Sequence, residues 1–133
     1  GATTATGGRD RSGRGSVWRT DTGPTEGEPS VGQIVIQGTI TINPEKRERA
    51  IEACNTMRAA TIAEPGCLGY RFGFATDDPN VLMVAEQWES EDALGPHMAS
   101  PHMADFGGAI GEIVGGPVDV TKFEIASAGP LFG

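Results

Sequence analysis

Val81-Leu82-Met83-Val84-Ala85-Glu86-Gln87-Trp88 is the stretch on which the fold turns. In an extended chain, successive side chains point to opposite faces. Leu82, Val84, Glu86 and Trp88 therefore share one face, and Val81, Met83, Ala85 and Gln87 share the other. The run is apolar on both sides as far as Ala85. A strand of an antiparallel sheet with one solvated face alternates with polar residues instead. This strand is expected to need cover on both sides.

Upstream of it, Asp77-Asp78-Pro79-Asn80 reads as a turn. Before that turn, Leu68, Tyr70, Phe72 and Phe74 alternate with small or polar residues, which predicts another strand. Glu64-Pro65-Gly66 stops a helix, because proline disfavours helical geometry in the residue before it. The helix is expected over 44–63, with Ile51, Cys54, Met57 and Thr61/Ile62 recurring every three to four residues. Asn43-Pro44-Glu45 supplies its cap, its first-turn proline and an early acid. Ile34, Ile36, Ile40 and Ile42 mark a first strand.

Downstream, Ser90 caps a short helix through about His97. Ser100-Pro101 opens another, with Met103, Phe106, Ile110 and Ile113 on one face and Gly115-Gly116-Pro117 as its end. Val118 to Ile125 reads as the last strand. The order is β-α-β-β-α-β, a ferredoxin-like α+β arrangement with an antiparallel sheet. Helices can cover only one face of such a sheet. The simplest cover for the other is a second copy of the chain, so a homodimer with a large apolar interface is expected.

The ends differ from this domain, which is expected over 31–126. Residues 1–30 contain seven glycines and only Ala2, Ala5, Val17 and Trp18 as apolar side chains. Such a stretch buries too little to offset its ordering entropy and reads as a flexible arm. Val17 and Trp18 are its candidate anchors. Residues 127–133 read as a loose tail.

The 133 residues carry 10 Lys+Arg against 18 Asp+Glu, a net charge of −8. That balance repels phosphate backbones and anionic lipid, so neither nucleic acid nor a membrane surface is an expected partner. The strongest apolar run, Val81 to Ala85, falls far short of the roughly 20 residues of a membrane span. No basic start followed by an apolar stretch appears, and two cysteines are too few for a disulfide scaffold, so a cytoplasmic setting is expected. CxxC, HExxH and P-loop patterns are absent from the sequence.

Candidate chemistry concentrates between Glu86 and His102. A carboxylate on an apolar strand face must be paired or protonated. Glu86 is therefore either an ion-pair partner of Arg58, Arg71 or Lys122, or a poised acid or base. Trp88 serves either as core or as a platform for a substrate. His97 is the better base, since histidine titrates near neutrality, although a helix-end histidine also bonds backbone carbonyls. His102 reads as a surface residue. The two histidines are five apart across a Ser-Pro break, which is not ligand spacing, and no metal is expected. Tyr70 and Arg71 are adjacent on a strand and face opposite ways. Tyr70, with Phe72, offers an aromatic wall carrying one hydroxyl.

Glu64-Pro65-Gly66-Cys67-Leu68-x-Tyr70, followed by Glu86-x-Trp88-x-Ser90-x-x-Ala93-Leu94-x-x-His97-x-x-Ser100-Pro101-His102-x-x-x-Phe106, resembles the antibiotic biosynthesis monooxygenase family, quinol monooxygenases included. The resemblance spans roughly Gln33 to Ile125. It implies a dimeric α+β barrel and the oxygenation of quinols or polycyclic, anthrone-like phenols by dioxygen without metal, flavin or heme. It places Trp88 and His97 in the pocket, Glu86 close by as a third catalytic candidate, and Tyr70 and Phe106 as residues that shape it; Phe72, Arg71 and Met98 are further expected substrate contacts. In heme-degrading relatives of this fold, the ligating histidine aligns with Gly107, which has no ligand atom, so heme degradation is disfavoured unless His102 swings in to replace it.

The chemistry sets a demand. Triplet dioxygen reacts poorly with neutral closed-shell organics, so such an enzyme makes its substrate electron-rich by deprotonating it. A simple phenol titrates near 10 and an imidazole near 6.5, so transfer is uphill by roughly 5 kcal/mol. A general base supplies about 10²–10⁴-fold. An acidic substrate or oxyanion donors must supply the rest. Two other classes fit the same sequence: a non-catalytic dimeric ligand-binding or stress-response module, and a non-oxidative isomerase or cyclase.

Overall fold

The computed structural model describes residues 31–133; the expected arm with Val17 and Trp18 lies outside the described residues. The chain forms β1 (Ile34–Ile42), α1 (Arg47–Thr61), β2 (Cys67–Ala75), β3 (Asp78–Trp88), α2 (Glu91–Met98), α3 (Pro101–Ile113) and β4 (Val114–Glu124). The four strands make one sheet in the order β2-β3-β1-β4, with every neighbouring pair antiparallel. This is the expected ferredoxin-like βαββαβ fold.

Register decides which side chains share a face. Ile34 pairs with Trp88, Ile36 with Glu86 and Ile40 with Leu82. On the outer side of β3, Tyr70 pairs with Glu86, Phe72 with Val84 and Phe74 with Leu82. These residues form the helix-covered face. Ile34, Ile40, Ile42, Leu82, Trp88 and Tyr70 are buried there against Ala50, Ala53, Cys54 and Met57 of α1, Leu94 of α2, and Phe106, Ala109 and Ile113 of α3. Burial of each large side chain contributes roughly 1.5–3 kcal/mol. β4 approaches β1 at Gly38, where a Cβ would collide with the backbone of Asp119 and Val120. Only glycine admits that approach.

Side-chain caps set the helix starts. The Asn43 side chain accepts from the Glu45 amide, beginning a short 3₁₀ turn over Pro44–Lys46 ahead of α1. Ser90 Oγ accepts from the Ala93 amide and Ser100 Oγ from the Met103 amide. Each satisfies one of the free amides of a first helical turn.

Three local expectations need correction. The hairpin between β2 and β3 is tighter than the Asp77–Asn80 turn, because β3 already starts at Asp78, which pairs with Ala75. Asp78 is still the turn's polar clasp, accepting from the Asn80 amide. Ile51 is 39% exposed rather than part of the α1 core. The buried stripe is Ala50, Ala53, Cys54, Met57 and Thr61, because small residues let the helix lie close to the sheet. Gly115-Gly116-Pro117 does not separate helix from strand but lies inside β4. A Cβ at Gly115 would meet the Asn43 backbone and one at Gly116 the Thr41 side chain, so the glycines permit a close strand start near a register shift. Proline is tolerated there because β4 is an edge strand.

The opposite face carries Gln37, Thr39, Arg71, Met83, Ala85, Asp119, Thr121 and Phe123. No helix among the described residues lies over it, and together with neighbouring residues it lines a cavity of about 780 Å³. Met83 is 46% and Phe123 42% exposed. Among the described residues, no helix is long and apolar enough to cross a membrane.

Candidate functional site

Glu86, Trp88, Tyr70 and His97 meet on the helix-covered face. β3 supplies the first two, two residues apart, and their shared side lets the Trp88 indole donate to Glu86 Oε1 at 3.0 Å. β2 brings Tyr70 opposite Glu86. α2, started by Ser90, carries His97 one turn past Leu94, and both are buried. The His97 ring lies 4.7 Å from the Trp88 ring and 5.8 Å from that of Tyr70. Phe72 extends the aromatic column, 5.3 Å from Tyr70 and 5.3 Å from Phe106 of α3.

Burial sets the electrostatics. Glu86 is 8% exposed and pairs with none of the cations considered for it. Lys122 instead bonds Glu91, and Arg58 donates to the Tyr70 carbonyl. Burial pushes the Glu86 carboxyl above its ordinary range, while the Trp88 indole and the nearby His97 oppose the shift and Glu64 adds to it. Burial also drives the Tyr70 phenol upward, with Glu86 adding to the effect, so Tyr70 remains a neutral hydroxyl. On α1, burial raises the Cys54 thiol to about 12, which makes it an inert core group.

The sequence reading missed one member of the cluster. Glu64, in the loop after α1, places a single carboxylate oxygen, Oε2, 2.8 Å from His97 Nδ1 and 2.6 Å from His102 Nε2. In the sequence Glu64 reads as part of a helix stop and as the start of the resemblance motif, with no role in the site. Gly66 brings the loop there: it adopts φ 85°, and a Cβ on it would strike Ala93 of α2. His102 is therefore not a free surface residue. Its side chain is 23% exposed and joins Glu64 to a cleft of about 160 Å³ shared with Arg49, Glu52 and Asp105. His97, at 1% exposure, bonds a carboxylate rather than a backbone carbonyl.

These three ligand atoms lie within 4.8 Å of one another, so Glu64, His97 and His102 are the residues here that could hold a cation. Ligands 2.0–2.1 Å from a tetrahedral zinc ion stand about 3.3 Å apart. The two nitrogens sit closer to the carboxylate oxygen than that, at hydrogen-bonding separation.

Several buried polar atoms at the centre have no hydrogen-bond partner among the described residues: His97 Nε2, the Tyr70 hydroxyl and the second oxygen of Glu86. Each such atom costs about 1–3 kcal/mol, so a native core holding several calls for an explanation. Two expected substrate contacts are not in this cluster. Arg71 is exposed on the open sheet face and lines the larger cavity, as its opposition to Tyr70 requires. Met98 is 54% exposed. Neither described cavity is lined by Glu86, Trp88 or His97, whereas Phe72 both lines the larger one and packs on Tyr70.

Comparison with known proteins places this arrangement. The profile of the family described as Antibiotic biosynthesis monooxygenase matches residues 33–108. "Putative monooxygenase Rv0793" of Mycobacterium tuberculosis is 32% identical over 78 residues, 59% of this chain and 76% of that protein. Its solved structure superposes with a TM-score of 0.65 at 26% identity, covering 77% of this chain and 98% of the other. "Putative monooxygenase YcnE" of Bacillus subtilis is 28% identical over 93 residues, 70% of this chain and 98% of YcnE. A Deinococcus radiodurans structure titled as a putative antibiotic biosynthesis monooxygenase shares the fold, with a TM-score of 0.69 at 22% identity over 75% of this chain and 99% of that one. The matched span runs from the start of β1 into α3 and contains every residue of the buried cluster, and on that ground the chain belongs to the antibiotic biosynthesis monooxygenase family.

Proposed function

We propose that this protein is a cofactor-independent monooxygenase that oxidises a quinol or an anthrone-like polycyclic phenol with dioxygen. The observation that carries the reading is the set of buried polar atoms without a hydrogen-bond partner among the described residues, His97 Nε2, the Tyr70 hydroxyl and one Glu86 oxygen, beside an aromatic column. In this reading, His97 Nε2 takes the acidic proton of the substrate. The Tyr70 hydroxyl, kept neutral by burial, donates to the developing oxyanion. Trp88 supports the planar ring, and Glu86, held by the Trp88 indole, receives or returns the second proton.

The substrate anion passes one electron to dioxygen, and the radical pair recombines to a carbon–oxygen bond. Cleavage of the resulting peroxide leaves one oxygen atom in a carbonyl and releases the other as water. For a methylene carbon the balance is R₂CH₂ + O₂ → R₂CO + H₂O, so no external reductant is consumed. Phe72, packed on Tyr70 and Phe106, extends the aromatic wall available to the substrate ring. A second copy of the chain covers that open face, because Met83 and Phe123 are otherwise solvated apolar groups on it.

The test is oxygen uptake and product mass with a panel of phenols, quinols and anthrones, run with and without oxygen and without added nicotinamide or metal. The expected result is uptake matched to a carbonyl product, lowered about 10²-fold in His97→Ala. Uptake equal to the enzyme-free control would overturn the oxygenase reading. Equal turnover without oxygen would replace it with an isomerase or cyclase.

A further inference from the structure

His97 has two ring nitrogens in different situations. Nδ1 lies 2.8 Å from Glu64 Oε2, while Nε2 is buried without a partner among the described residues. An ionised carboxylate only accepts hydrogen bonds, so a contact of that length carries the imidazole proton on Nδ1. In the neutral ring, the lone pair is then on Nε2, the nitrogen left for a ligand. We propose that Glu64 is the positioning residue of His97: it fixes the ring's orientation and its Nδ1–H tautomer, so that Nε2 is the free base.

The arrangement is held from both sides. His102 Nε2 lies 2.6 Å from the same oxygen and holds the carboxylate against α3. The Ser100 hydroxyl donates to the His97 carbonyl at 2.7 Å, tying the end of α2 to the start of α3. Gly66 presses the loop carrying Glu64 onto Ala93. Thus three segments that meet only in the folded chain converge on one ring. The titratable groups around it are Glu64 and His102 on this side and Tyr70 and Glu86 on the other.

This inference rests on the oxygenase reading for its catalytic meaning, but its first readout does not need activity. Long-range ¹H–¹⁵N spectra of histidine-labelled protein report which ring nitrogen is protonated. Above the imidazole titration, His97 is expected as the Nδ1–H tautomer. Glu64→Leu, which removes the acceptor, is expected to give a mixture of tautomers. Glu64→Gln, which retains a carbonyl acceptor, is expected to restore Nδ1–H in large part, and it also covers the case in which the leucine variant does not fold.

If the oxygenase reaction is found, kcat is expected to fall about 10–100-fold in Glu64→Leu and less in Glu64→Gln, with KM little changed. An Nε2–H tautomer in the unaltered protein would overturn the proposal, as would an unchanged tautomer in a folded leucine variant. So would a stoichiometric metal ion in the purified protein that is lost on Glu64→Leu. A wild-type kcat in that variant would remove Glu64 while leaving the oxygenase reading intact. No oxygen uptake by the unaltered protein would remove the oxygenase reading while the spectra still decide the tautomer.

Discussion

The two faces of the sheet are built from the same strands and finished in opposite ways. On one, Ile34, Ile40, Leu82, Tyr70 and Trp88 are sealed by three helices of the same chain. On the other, Gln37, Arg71, Met83, Thr121 and Phe123 border a cavity of about 780 Å³ with no described helix above it. The covered face holds nearly all the burial and, within it, the few polar groups that burial perturbs. The open face holds apolar groups, Met83 and Phe123, that remain largely exposed among the described residues. Stability and candidate chemistry thus share one side, and assembly is the proposed business of the other.

The largest expected effect tests the covered face. Trp88 is fully buried, bonded to Glu86 and packed on His97. Trp88→Ala is expected to lower unfolding stability by about 3–5 kcal/mol, read from urea denaturation. A loss below about 1 kcal/mol would mean that the aromatic column does not hold the helices to the sheet.

A smaller effect concerns the charge inside that face. Burial raises the folded-state pKa of Glu86 above its ordinary 4.5, so between the two values the folded protein holds a proton that the unfolded chain has released. The stability this brings is complete below about pH 4.5 and is lost as pH rises through the folded-state value. Glu86→Gln keeps an acceptor for the Trp88 indole and removes the titration. Its Tm is expected to exceed that of the unaltered protein by a margin that grows from pH 4 to pH 7. A margin that stays flat or shrinks would show that Glu86 is not strained by burial.

The smallest effect on the subunit itself belongs to the open face. Met83→Asp is expected to change the unfolding free energy of the isolated subunit by no more than about 0.5 kcal/mol, because the side chain is half exposed. The same substitution is expected to halve the sedimenting mass if a second copy covers this face. Unchanged mass would remove that role from the open face and sharpen the contrast into one between core and plain surface.

Much of this division was legible in the residues. The period-two run at Val81–Trp88 placed Glu86 and Trp88 with Leu82, and the alternation over Leu68–Phe74 placed Tyr70 opposite to Arg71. What failed failed for definable reasons. Ile51 fitted the helical spacing, but the core chose Ala50 and Ala53, since a sheet packs closer to small side chains. Glycines at Gly115 and Gly116 carry the same letter in a turn and in a tight strand contact. Glu64 and His102 stood 38 residues apart, and no spacing rule links them.

The sequence by itself determined the element order, the sheet's two-sidedness and the apolar strand in its middle, because alternation and capping are local properties of neighbouring residues. The tertiary structure alone decided that Glu64 bridges His97 and His102, that among the described residues Glu86 is bonded by the Trp88 indole rather than by a cation, and that Arg71 and Met98 stay outside the cluster. Those are contacts between separate segments, and a chain's local chemistry does not encode where distant segments will meet; packing of the helices on the sheet does.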